Sequence, residues 1–318
     1  MVATFWLCPG QGAQKVGMGK DLAERFPAAR DTFAAIDAAL GLSLSTIMFD
    51  GPEDELTATQ NAQPAILAHS AAVFAAVRQH PGGAAVGAAG HSLGEYSAYV
   101  TAGALPAPEA AKLVRRRGEL MQKAGEERPG TMAAVLGLAT ADVCTACEEA
   151  SQRASVVVAA NINAPDQTVI SGDPDAVTRA GDLCKQRGAK RVLPLKVSGA
   201  FHSPLMAPAA NHLQLALERA PFQTPAFPIV ANATTELVKD ASRARRLLAD
   251  QLTAPVRWVE CMEHAARLAP EDGLRFVEIG PGSVLAGLLK RIVPGANVVS
   301  LGTAAEIEKF LSEGAGTA

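Results

Sequence analysis

Ala85-Val86-Gly87-Ala88-Ala89-Gly90-His91-Ser92-Leu93-Gly94-Glu95-Tyr96-Ser97-Ala98-Tyr99-Val100-Thr101-Ala102-Gly103 is the stretch whose reading decides the fold. It opens as a short strand of small residues, turns abruptly at Gly90-His91-Ser92-Leu93-Gly94, and continues as a helix that stops at Gly103. Gly90-x-Ser92-x-Gly94 has the pattern of a nucleophile elbow, a serine exposed on a tight strand-to-helix turn. Such a turn presses backbone against backbone, so its neighbours must lack side chains. The helix that begins there points free N–H groups back at the serine. The Leu93 N–H is then placed to stabilise an oxyanion formed when Ser92 attacks a carbonyl. The same tripeptide pattern in a surface loop would carry no such meaning. The flanking strand and helix favour the catalytic reading.

Two further segments belong beside this turn. Thr4-Phe5-Trp6-Leu7-Cys8 reads as a buried strand running into Pro9-Gly10-Gln11-Gly12-Ala13-Gln14. The glycine spacing fits neither a P-loop nor a dinucleotide fingerprint. It is read instead as a second wall of the site, with the Gln11 N–H as the other oxyanion donor. Downstream, His202 follows a strand in Val197-Ser198-Gly199-Ala200-Phe201-His202-Ser203-Pro204. A lone histidine in a turn is more often structural. Its place after Ser92 in the chain suits a base drawn from a later turn. No acid offers itself as a third member, so a carbonyl or a glutamine is expected to orient the ring, with Gln251 a candidate.

The helix read over residues 109–124 carries an unusual charge. Leu113, Val114, Leu120, Met121 and Ala124 share one face, and at about 100° per residue Arg117 falls near the middle of that stripe. Arg115 is expected to point away and Arg116 to lie towards the edge. A buried guanidinium keeps its charge and needs an anion. Pairing with an internal acid, or snorkelling to solvent, are the structural alternatives. Residues 18–40 and 53–80 also read as helical, the latter opened by Thr59-Gln60-Asn61-Ala62-Gln63-Pro64 with Pro64 in a first turn. Gln63 either faces the site or serves capping and packing.

Between residues 128 and 197 the texture changes. The expected elements are strand Thr131–Leu136, helix Asp142–Ala150, strands Val156–Asn161 and Gln167–Ser171 around Asn163-Ala164-Pro165-Asp166, helix Asp175–Arg187 and strand Arg191–Val197. That βαββαβ order is the ferredoxin-like split unit. It predicts a small subdomain, 128–197, inserted into a larger one formed by 1–127 and 198–318. Near the end, Arg275–Ile279, Gly280-Pro281-Gly282 and a helix through Ile292 read as scaffold.

Composition bounds the rest. The chain has 318 residues, 48% hydrophobic and 19% charged, which suits a globular protein with a substantial core. A net charge of −3 gives no basic field for nucleic acid. Five scattered cysteines form no disulfide framework and suit a reducing cytoplasm. Cys144-x-x-Cys147 lacks a second ligand pair, so no metal is expected there. No run of about 18 apolar residues suggests a membrane span, and no basic leader marks a signal peptide. The tail from Ser312 to Ala318 is expected to fray.

Taken together these motifs resemble the malonyl-CoA:acyl carrier protein transacylases, the acyltransferases of type II fatty acid synthesis. The matching residues are Pro9 to Gly12, Thr59 to Pro64, Gly90 to Ser97, Val114 to Gly118 with Arg117, Gly199 to Ser203 and Gln251 to Trp258. Cys8 departs from the phenylalanine usual in the family, a change expected to affect packing only. The resemblance implies an α/β-hydrolase-like large subdomain with a ferredoxin-like insertion and the site between them. It implies Ser92 as nucleophile, His202 as base and later acid, and the Gln11 and Leu93 N–H groups as oxyanion hole. Arg117 would bind the malonyl carboxylate, Gln251 would help hold His202, and Asn161 and Arg191 would meet coenzyme A. Phe201 resembles members that use malonyl rather than methylmalonyl groups. The implied partners are malonyl-CoA, coenzyme A and, transiently, acyl carrier protein, with no cofactor and a monomeric enzyme. Basic residues Lys185, Arg187, Lys190 and Arg191, with Lys290 and Arg291, could attract an acidic carrier protein. The rival readings are an acyl hydrolase, an acyltransferase serving a polyketide synthase, and an inactive scaffold. Arg117 argues against a hydrolase of neutral acyl chains.

Overall fold

The computed structural model describes residues 2–79 and 84–315. β1 (Ala3–Cys8) is buried along its whole length. Then come α1 (Lys20–Arg25), α2 (Pro27–Leu40), α3 (Leu44–Asp50), α4 (Glu53–Thr57) and α5 (Thr59–Val77). The helical pattern over 18–40 is thus two helices. Pro27 starts the second and holds Phe26 extended, at φ −116° and ψ 111°. The pattern over 53–80 likewise divides, at Ala58, and its residue 80 lies outside the described residues. Because α5 opens at Thr59, Pro64 sits inside the helix rather than in its first turn. Its missing N–H leaves the Gln60 carbonyl without a helical donor.

β2 (Ala85–Gly90), α6 (Gly94–Thr101) and α7 (Ala107–Glu127) complete the first half. The middle of the chain forms β3 (Thr131–Leu136), α8 (Thr140–Ala150), β4 (Val157–Ala164), β5 (Gln167–Gly172), α9 (Pro174–Gln186) and β6 (Arg191–Pro194). β4 extends through Ala164, so the expected four-residue turn tightens to Pro165-Asp166. β6 stops short of Val197. It is an edge strand ending at Pro194, which has no N–H to continue the ladder. The last third holds α10 (Ala207–Arg219), β7 (Ile229–Val230), β8 (Leu237–Val238), α11 (Ala241–Asp250), α12 (Trp258–Ala266), β9 (Leu274–Ile279), α13 (Val284–Ile292), β10 (Asn297–Leu301) and α14 (Ala304–Ala315). α14 keeps Ser312 to Ala315 helical where fraying is expected. Residues 316–318 lie outside the described residues.

The large sheet runs β10-β9-β1-β2-β7-β8, with every pairing parallel except β7 with β8. Alternation along β1 shows why it is buried throughout. Trp6 and Cys8 enter one core, shared with α2, α5, α6 and α7. Phe5 and Leu7 enter a second core, with Trp258 and Met262 of α12 and Leu285 and Leu289 of α13. A parallel sheet covered on both faces is the expected outcome for such a strand. The small sheet is antiparallel, in the order β4-β5-β3-β6. Its own core joins Val135 and Ile170 to Val143 and Cys147 of α8 and Ala180 and Cys184 of α9. All five cysteines are free thiols, and Cys147 packs in this small core. Among the described residues no helix is long and apolar enough to cross a membrane.

Candidate active site

A cleft of about 980 Å³ opens beyond the C-terminal ends of β1 and β2. Its walls include Gln11, Ser92, Arg117 and His202 from the large-sheet side and Asn161 and Val169 from the small sheet. This is the position that open parallel sheets reserve for ligands.

The turn at Ser92 is as tight as its glycines imply. A Cβ on Gly90 would lie 1.9 Å from the Gly94 carbonyl, and one on Gly94 would lie 2.1 Å from the Cys8 carbonyl oxygen. Ser92 itself adopts φ 54°, a left-handed conformation that costs a non-glycine residue about 1–3 kcal/mol and persists only where its surroundings enforce it. Asn232 supplies that enforcement. Its Oδ1 accepts from the Ser92 N–H at 2.8 Å, and its Nδ2 donates to the Gly90 carbonyl at 2.8 Å. The Leu93 and Gln11 N–H groups have no hydrogen-bond acceptor among the described residues. The cleft wall includes both residues.

His202, also at φ 55°, is 2% exposed. Its Nδ1 lies 3.0 Å from the main-chain carbonyl of Gln251. A carbonyl only accepts, so Nδ1 carries the proton and Nε2 presents its lone pair. That lone pair faces Ser92 Oγ at 2.7 Å. The group that holds the ring is thus the carbonyl of Gln251. Burial, with the Arg117 charge second, pushes the His202 imidazole down to about 3.

Arg117 is 1% exposed on α7. It donates from Nη1 to Gln63 Oε1 at 2.7 Å, and from Nη2 to Ser92 Oγ at 3.0 Å and Gln251 Oε1 at 3.1 Å. Among the described residues no carboxylate forms an ion pair with it. The side chain does not snorkel, and the buried acid that acts on it, Glu95, does so through space and through the Gln251 amide rather than as an ion pair. Gln63 faces the site as a buried acceptor. The neighbouring arginines reverse their expected exposure. Arg115 is half-buried and donates to Asn61 of α5 at 2.8 Å, whereas Arg116 is exposed. Packing of α5 beside α7 covers the side that periodicity alone assigns to solvent.

The remaining candidates divide. Asn161 lies on the cleft wall with its Oδ1 buried and unpaired among the described residues. Arg191 is exposed at the start of β6 and is not among the residues lining the cleft; Lys196 is the lysine on that wall. Several of the surface cations are already paired: Lys185 with Asp182, Arg187 with Glu149, and Arg291 with Asp166. Sequence reasoning missed Asn232, Lys196 and Glu95. Glu95, fully buried, accepts at Oε2 from the Asn232 N–H at 3.0 Å and from Gln251 Nε2 at 2.8 Å. Burial raises its carboxyl to about 7. Asn232 follows β7, whose two residues leave no pattern in the sequence, so nothing there marked it.

The fold and this cleft define an acyl-transfer protein, and the chain belongs to the acyl transferase domain family, whose model matches residues 5–306. It is 45% identical over 293 residues to the malonyl CoA-acyl carrier protein transacylase of Escherichia coli (strain K12), covering 92% of this chain and 94% of that protein. Among solved structures, an acyl carrier protein S-malonyltransferase from Vibrio cholerae superposes with a TM-score of 0.92 at 41% identity, covering 98% of this chain and 100% of the other. A malonyl-transacylase solved with a type II PKS acyl-carrier protein matches with the same TM-score of 0.92, 41% identity and the same coverage, 98% and 100%.

Proposed function

We propose that this chain transfers the malonyl group of malonyl-CoA to the phosphopantetheine thiol of acyl carrier protein, supplying fatty acid synthesis. The observation that carries the reading is the Arg117 guanidinium: charged, buried, without a carboxylate partner among the described residues, and 3.0 Å from Ser92 Oγ. A guanidinium so placed can take the free carboxylate of a malonyl thioester through two parallel hydrogen bonds while the thioester carbonyl meets Ser92.

Ser92 Oγ attacks that carbonyl as His202 Nε2 takes its proton. The tetrahedral oxyanion is held by the Gln11 and Leu93 N–H groups. Collapse breaks the C–S bond, and His202 returns the proton to the departing coenzyme A sulfur. The carrier thiol then attacks malonyl-Ser92, giving its proton to His202, which hands it to Ser92 Oγ as the ester breaks. Gln251 holds the imidazole, and Gln63 holds Arg117. Asn161, and Arg191 outside the cleft wall, would contact coenzyme A. The catalytic subdomain is assigned to 1–127 and 198–318 and the small subdomain to 128–197, in a cytoplasmic monomer.

Exposure to malonyl-CoA followed by intact-mass analysis tests the reading. The protein should gain one malonyl group, then lose it to added phosphopantetheinylated carrier protein, which gains the same mass. An adduct that decays in water as fast as it transfers would identify a hydrolase instead. No adduct and no malonylated carrier would end the proposal.

The pH profile offers a second check. With its pKa depressed, His202 stays neutral, and so able to accept a proton, far below the ordinary histidine value of 6.5. The kcat/KM for malonyl-CoA reports ionisations of the free enzyme, so it should show no histidine limb between about pH 7.5 and about pH 5. Glu95 titrates within this window. Measuring wild type and Glu95→Gln together separates the two groups. An acid limb near 6.5 in both proteins would contradict a buried neutral base.

A further inference from the structure

Gln251 is bonded at every polar group that faces the site. Its main-chain carbonyl accepts from His202, and its Oε1 accepts from Arg117. Its Nε2 donates to the Ser92 carbonyl at 2.9 Å and to Glu95 Oε2 at 2.8 Å. An amide has two orientations related by a flip, and they differ only in which end donates. Turned the other way, the Gln251 NH2 would face the Arg117 guanidinium, donor against donor. Its oxygen would face the Ser92 carbonyl and the Glu95 carboxyl. Glu95 is the only side chain that accepts from Nε2 among the described residues, and Asn232 holds it from the other side through a main-chain N–H at 3.0 Å. Its second oxygen, Oε1, is buried and unpaired among the described residues, so only Oε2 does this work.

We propose that Glu95 is a positioning residue which, through the Gln251 amide, fixes the Arg117 guanidinium and so sets the preference for an acyl group that carries a carboxylate. The inference rests on the malonyl-transfer reading above. Glu95 hydrogen-bonds neither Ser92 Oγ nor Arg117, and its charge acts on the guanidinium through space; its hydrogen bond goes to the residue that bonds both Arg117 and the base. Loss of its contact leaves Nε2 held by the Ser92 carbonyl alone, so the amide loosens in its seat and Oε1 aligns Nη2 less firmly. Binding of a malonyl carboxylate then suffers, while an acetyl group, which makes no demand on Arg117, does not.

Two substitutions separate reach from charge. Glu95→Asp keeps the carboxylate but withdraws it by one methylene from Gln251. Glu95→Gln keeps the length, leaves an oxygen able to accept both bonds, and sets its NH2 where Oε1 is unpaired. The readout is the ratio of kcat/KM for malonyl-CoA to that for acetyl-CoA. Glu95→Asp should lower it about tenfold or more, mainly through a higher KM for malonyl-CoA. Glu95→Gln should hold it within about threefold of wild type. Gln251→Met, which keeps the main-chain carbonyl and deletes the amide, should match the loss. Should the aspartate variant not fold, Glu95→Met, which deletes both carboxylate oxygens, takes its place beside Gln251→Met. Adding Glu95→Asp to it should then change the ratio no further. Parallel loss of both substrates, an unchanged ratio in Gln251→Met, or a glutamine variant that behaves like the aspartate one would overturn the proposal. Wild-type protein that takes no malonyl group would instead overturn the transfer reading, so the two failures are distinguishable.

Discussion

Ser92→Ala protein is expected to gain no malonyl mass from malonyl-CoA. The elbow presents one hydroxyl to the cleft floor, 2.7 Å from the only imidazole nitrogen that faces it among the described residues. Alanine removes that oxygen and nothing else. The turn is held by Asn232 through main-chain groups of Gly90 and Ser92, which alanine retains. The variant should therefore fold, keep its melting temperature within a few degrees and still bind malonyl-CoA through Arg117. Transfer to carrier protein should fall to background. Persistence of a malonyl adduct would move the nucleophile elsewhere and remove the basis for the mechanism.

Arg117→Ala is the second large effect. Truncating one partner of a desolvated, hydrogen-bonded charge pair costs about 2–5 kcal/mol. In kcat/KM for malonyl-CoA that is a loss of about 30-fold to several thousand-fold. Acetyl-CoA should be used as well as before or better, since the cleft gains room and loses a cation that forms no ion pair among the described residues. Preference between the two substrates should reverse. A purely structural arginine would behave otherwise: both activities would fall together, along with thermal stability. Gln63 and Gln251 remain able to hydrogen-bond water in the vacated space, which argues for a folded variant. Measuring both thioesters on the same preparation decides the matter.

Much of the architecture was legible because it is local. β1, the elbow at Ser92 and the face of α7 that carries Arg117 each announce themselves within a short run of residues. The βαββαβ order of the small sheet was readable for the same reason. β7 and β8 have two residues each, too few for any alternation to register, and Asn232 depends on β7 for its position. Glu95 looks like an ordinary acid in the first turn of α6, where the helix dipole alone would justify it. Only tertiary folding buries it against α11's end and the loop after β7. Gln251 orients His202 through a main-chain carbonyl, which every residue type possesses, so its side chain gave no clue to that contact. The arginine run shows the limit of periodicity: it places Arg117 correctly and misorders Arg115 and Arg116, because a neighbouring helix decides their exposure.

The partner of His202 bears on which acceptors the site admits. A carboxylate would stabilise an imidazolium and make the ring a stronger base; a neutral carbonyl offers much less. In the proposed mechanism Ser92 tolerates the weaker base, being fixed in contact with it. A water molecule entering the cleft has a pKa of about 15.7 and must be deprotonated by the same weak base. A thiol, with a pKa of about 8.5, ionises with little help and is the better nucleophile. The acidity of the incoming group therefore sorts the acceptors. In the proposed mechanism, a base too feeble to recruit water leaves the acyl-serine to wait for sulfur, so the ester is expected to survive long enough to be passed on rather than lost.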